Sequence, residues 1–105
     1  MTNKTTSIRL YKREIEVLKK YVDQDTAGYE VTSRTVKCKS KAVMSNIVTQ
    51  MERAIVQRVR DEDIDDTDFV DMLDIWEIIQ IEGMGYCYKG RIKNQLNKWL
   101  EGKLS

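Results

Sequence analysis

The chain has 105 residues, 41% apolar and 33% charged, which suits one modest core and is too hydrophobic for a disordered segment. It contains no histidine, no proline and only two cysteines, Cys38 and Cys87, which excludes a Cys–His nucleophile, a Cys/His zinc site within one chain and a disulfide framework. The net charge of +1 conceals three blocks: +7 over residues 1–60, −10 over residues 61–82 with no Lys or Arg among them, and +4 over residues 83–105.

These features predict a single domain over residues 1–105, made of a basic part (1–60), an acidic loop and helix (61–82) and a basic C-terminal helix (83–105). No stretch reaches the ~18–20 apolar residues of a membrane span, and Met1 to Ser7 leads into no long apolar run. The expectation is therefore a chain with no membrane partner, with reduced thiols, in the cytoplasm of a host cell.

In chain order, Thr6 to Tyr11 alternates, with Ile8 and Leu10 on one side and Ser7, Arg9 and Tyr11 on the other, the pattern of a short strand with one buried face. From Lys12 the period becomes helical through Ile15, Leu18, Tyr21 and Val22 to about Gln24, where Asp25-Thr26-Ala27-Gly28 breaks it. Tyr29 to Val31 and Thr35 to Cys38 flank Thr32-Ser33-Arg34 as a small hairpin would. Ser40 reads as the N-cap of a second helix whose stripe is Val43/Met44, Ile47/Val48, Met51, Ala54/Ile55 and Val59. Residues 61–66 are too acidic to propagate that helix and read as a loop. A third helix is capped at Asp66 or Thr67, with Asp68 and Asp71 near its positive end. Its stripe is Phe69, Leu73, Trp76 and Ile79/Ile81, widened by Val70, Met72, Ile75 and Ile78, and Gly83-Met84-Gly85 stops it. Tyr86-Cys87-Tyr88 is extended or a turn, and residues 91–100 form a last amphipathic helix. The fold class this predicts is helix-rich α+β, with short N-terminal strands and about four helices.

Catalytic signatures are missing: no GxxxxGK[ST] and no GxGxxG occurs, so neither catalytic residues nor a cofactor are expected. Asp61, Asp63 and Asp65 alternate like the start of a calcium loop, but Asp66 stands where that loop needs glycine and Met72 where it needs glutamate, so no metal is expected. Asp71 and Asp74, at helical spacing beside apolar neighbours, read as a solvent face.

A strand exposing Ser7, Arg9 and Tyr11, a helix with Ile15 and Leu18, and a helix opening at Ser40-Lys41 with Met44, Ile47, Val48 and Met51 together resemble the ribbon–helix–helix family of DNA-binding proteins. That resemblance covers about half the chain. About fifteen residues separate the helices here instead of a short turn, and Lys12 stands where proline usually follows the strand. The resemblance implies a homodimer in which Ser7, Arg9 and Tyr11 read base edges, Arg9 being suited to guanine. Backbone N–H groups at Ser40 and Lys41 would then hold a phosphate, with Lys37, Lys39 and Lys41 adding sequence-independent attraction. In style the chain is also similar to small phage-encoded inhibitors such as anti-CRISPR proteins, which are short, catalytically inert and charge-segregated. Under that reading Asp61, Glu62, Asp63, Asp65 and Asp66 would bind the basic groove of a host nucleic-acid-binding protein. The sequence thus predicts a nucleic-acid-binding regulator of a mobile element, with the acidic-face inhibitor as the alternative, and the deciding question is which charge block folding leaves exposed.

Overall fold

Strand β1 (Thr6–Arg9) buries Ile8 and, one residue past its end, Leu10, while Ser7, Arg9 and Tyr11 remain exposed. The computed structural model describes residues 5–64 and 67–85; Asp65, Asp66, the Tyr86-Cys87-Tyr88 segment and the helix predicted over 91–100 lie outside these described residues. Strands β2 (Glu30–Thr32) and β3 (Thr35–Cys38) form the expected hairpin around Ser33-Arg34, with Ser33 in the left-handed region at φ 57°. The sheet is antiparallel in the order β1-β3-β2. Its register sets Ser7 opposite Lys37, Ile8 opposite Val36 and Arg9 opposite Thr35. Leu10 N–H donates to the Arg34 carbonyl at 2.9 Å, so the β2–β3 turn is tied to the chain just beyond β1.

Helix α1 (Lys12–Tyr21) starts where the period changes, and Glu14 reaches back to accept from the Tyr11 N–H at 2.9 Å, satisfying one of the donors a helix start leaves open. It ends three residues before the expected Gln24, because Val22 turns extended and is drawn into the core. The Asp23 side chain accepts from Asp25 N–H and restarts one helical turn, α2 (Gln24–Ala27), where the sequence predicted only a break. Gly28, at φ 83°, closes α2 in a backbone conformation that costs other residues about 1–2 kcal/mol.

Ser40 caps helix α3 (Lys41–Arg60) as predicted, its Oγ accepting from Val43 N–H at 3.4 Å. The stripe Met44, Ile47, Met51, Ile55 and Val59 is buried throughout. Helix α4 (Thr67–Ile78) runs directly into a π-helical segment (Ile79–Met84), which Gly85 ends at φ 83°. α3 sits at the centre, packing against α1, α2, α4, the π-helical segment and β3. The inner sheet residues Ile8, Val36 and Cys38 join the helices' stripes in one contiguous core. The fold is helix-rich α+β, with a three-stranded sheet and four α-helices among the described residues. No helix among those residues is long and apolar enough to cross a membrane.

Two positions on α4 overturn the sequence reading. Val70, counted in the apolar stripe, is exposed, whereas Asp71, assigned to the solvent face, is 1% exposed. The cause is α1, which packs along that side of α4 and brings Arg13 Nε to 3.3 Å from Asp71 Oδ1.

Candidate nucleic-acid interface

The basic residues singled out in the sequence do not form one cluster. Lys37 lies on the outer face of the sheet beside Ser7, and both are exposed. Lys39, Ser40 and Lys41 follow β3 at the end of the sheet where Thr6 pairs with Cys38. Lys39 there pairs with Glu30 at 3.5 Å, and the Ser40 hydroxyl is used as a helix cap. Arg9 and Tyr11 stand at the opposite end, where Arg9 lies across from Thr35.

At that second end the fold adds residues that the sequence reading missed. The β2–β3 turn carries Arg34 to the start of α1, beside Lys12 and Arg13. Two adjoining clefts result, sharing Tyr11 and Arg34. One, of about 360 Å³, is lined by Arg9, Leu10, Tyr11, Glu14, Arg34, Ile78 and Glu82. The other, of about 540 Å³, is lined by Tyr11, Lys12, Arg13 and Arg34. Both fall within the volume range of ligand sites. Tyr11 is 69% exposed, the highest value of any large hydrophobic among the described residues, and it stands between the two clefts. Arg9, Lys12 and Arg34 have no ion pair among the described residues, while Arg13 is held by Asp71. The signal for Arg34 was its place in the hairpin turn; what the sequence lacked was the pairing of β3 with β1.

The acidic block is arranged differently. Asp61 Oδ1 accepts from Gln57 Nε2 at 3.0 Å. Arg58, largely buried, donates through Nε to the Asp63 carbonyl at 2.8 Å and through Nη1 to Tyr21 Oη at 2.7 Å, with Nη2 3.4 Å from Asp63 Oδ2. Asp68 Oδ2 accepts from Lys20 Nζ at 2.8 Å and from Tyr21 Oη at 3.2 Å. Glu62 is exposed, with φ 55°. Of the five acids expected to bind a partner, Asp61 and Asp63 are thus engaged by neighbours on α3, and Asp65 and Asp66 lie outside the described residues.

One carboxylate group has the spacing to hold a cation: oxygens of Glu14, Asp71 and Asp74 lie within 4.8 Å of one another. Arg13 already supplies positive charge at Asp71 Oδ1, although that atom makes no hydrogen bond. Burial pushes the Glu14 carboxyl above its ordinary value of 4.5; the Tyr11 N–H opposes that shift, and Asp74 and Asp71 reinforce it. A proton on Glu14 therefore relieves the crowding of like charge. Cys38 is buried and its thiol is pushed up to about 11, which makes it a poor nucleophile. Compared with family models, curated proteins and solved structures, the chain matches none.

Proposed function

We propose that this protein binds nucleic acid at the Tyr11 end of the sheet, through the clefts to which Arg9, Lys12 and Arg34 contribute, and acts by occupying its target without catalysis. The observation that carries the reading is the difference between the two charge blocks after folding. Asp63, Asp68 and Asp71 are paired with Arg58, Lys20 and Arg13, while Arg9, Lys12 and Arg34 line clefts beside an exposed aromatic ring with no acid paired to them among the described residues. Unpaired cations beside a groove suit phosphate, because each one released from its counterions adds sequence-independent affinity. The pairing of Asp63, Asp68 and Asp71 offsets part of the acidic block's charge, although Asp61, Glu62 and Asp63 remain exposed.

The test is fluorescence anisotropy of labelled oligonucleotides at several salt concentrations. Log affinity should fall with log salt at about −0.7 to −0.9 per phosphate contacted. Replacing Arg9 and Arg34 together by glutamate should flatten that slope by about two contacts and weaken binding at every salt concentration. No binding to any single strand or duplex at ~50 mM salt, where electrostatic association is strong, refutes the proposal.

A further inference from the structure

Resting on that reading, we infer that the nucleic acid is single-stranded, with the Tyr11 ring as the platform on which an unpaired base stacks and Arg9, Lys12 and Arg34 holding the flanking phosphates. The exposure of the ring is the first support. Bases inside a duplex are stacked on one another and offer their edges, so an exposed aromatic side chain stacks most cheaply on an unpaired base, without the unstacking that insertion into a duplex costs. Tyr11 is 69% exposed at the N-cap of α1, and its backbone makes the local bonds, the N–H to Glu14 and the carbonyl to Ile15 N–H.

The shape of the surroundings is the second support. The ring stands between concave clefts of about 360 and 540 Å³, with Arg34 lining both, so a strand crossing Tyr11 meets a cation on either side of the stacked base. The major groove admits a helix or a two-stranded ribbon. Here Ser7 and Arg9 project from a three-stranded sheet in which β3 is already hydrogen-bonded to β1. Two small open clefts beside a broader sheet suit a flexible backbone that can follow them better than they suit a rigid duplex. The opposing groups are Glu82 and the buried Glu14, which line the smaller cleft with Arg9 and Arg34; the larger cleft is lined by Tyr11, Lys12, Arg13 and Arg34, with no acid among the described residues.

The experiment compares anisotropy of fluorescein-labelled oligo-dT and oligo-U of about twelve nucleotides, within the site sizes of single-strand binders, with a duplex of the same length, at ~50 mM salt. One or both single strands should bind at least tenfold tighter than the duplex. Tyr11→Ala should weaken single-strand binding by roughly tenfold or more, and Tyr11→Phe, which keeps the ring and loses only the hydroxyl, should restore most of it. Circular dichroism checks that both variants are folded. Tighter binding of the duplex, or single-strand affinity indifferent to Tyr11→Ala, overturns the single-strand inference and leaves the nucleic-acid reading standing. Failure to bind any of the three overturns both.

Discussion

Arg58→Met tests whether the start of the acidic block is fastened to the fold as the hydrogen bonds indicate. The substitution keeps an unbranched aliphatic stem but removes the guanidinium, and with it the 2.8 Å bond to the Asp63 carbonyl, the 2.7 Å bond to Tyr21 Oη, the weak 3.8 Å contact of Nη1 with Met72 Sδ and the 3.4 Å approach to Asp63 Oδ2. Hydrogen bonds from a charged donor contribute about 1.5–3 kcal/mol each. The ion pair with the Asp63 carboxylate contributes under about 1 kcal/mol, because that side chain is well exposed and water screens it. Tyr21 retains its bond to Asp68, which reduces the loss on that side. The expected cost is about 3 kcal/mol, a fall in Tm of about 10–20 °C for a chain of this size, read by urea and thermal unfolding followed by circular dichroism. Asp63→Asn is the control: it removes only the screened charge and leaves the carbonyl acceptor, so it should cost under about 1 kcal/mol. The reasoning fails if Arg58→Met costs less than Asp63→Asn, or if both are neutral.

Two further outcomes are expected. A buried carboxyl with a raised pKa holds its proton more tightly in the folded than in the unfolded chain, so its contribution to stability is present below the ordinary value of 4.5 and is lost as pH rises through the folded pKa. Glu14→Gln keeps an acceptor for the Tyr11 N–H and cannot ionise, so urea midpoints should match the wild type at acid pH and exceed it increasingly toward neutrality; a constant offset at all pH values would refute the assignment. Gly28→Ala should cost about 1–2 kcal/mol by the same unfolding assay, because the added Cβ sits 3.6 Å from Val43 without a clash and only the left-handed backbone opposes it; a stabilised variant would contradict that.

Local signals were legible wherever a single element determined the outcome. Ser40 capping α3, the stripe from Met44 to Val59, the period change at Lys12 and the hairpin around Ser33-Arg34 each depend on residues within a few positions of one another. The readings of α4 failed because its surroundings come from elsewhere in the chain. Apolar residues cover so much of that helix that its own pattern does not orient it, and the orientation is set by α1, which covers Asp71 and leaves Val70 exposed. The short helix α2 was hidden for a different reason: Asp23 can cap a new helical turn as readily as it can end an old one, and the residues that follow do not decide between the two. The recruitment of Arg34 to Tyr11 was likewise invisible, since it depends on β3 pairing with β1 across more than twenty intervening residues.

The charge blocks show the same distinction between order along the chain and order in space. The sequence separates a basic half from an acidic segment and leaves open whether the second complements the first or faces a partner. Folding lays α4 against α1 and ends α3 at the acidic turn, so Lys20 meets Asp68, Arg13 meets Asp71 and Arg58 meets Asp63. These pairs sit on α1, α3, α4 and the turn between α3 and α4, and they withdraw basic residues from that side of the molecule. The end of the sheet has acids of its own: Glu14 and Glu82 line one of its clefts, and Asp71 and Asp74 lie close to Glu14. The positive charge left over is therefore local, carried by Arg9, Lys12 and Arg34, and at physiological salt a charge acts over only about 8 Å. A net charge near zero for the whole chain is consequently compatible with local charge of either sign, because the potential at the Tyr11 end is set by its immediate neighbours, Arg9, Lys12 and Arg34 against Glu14 and Glu82.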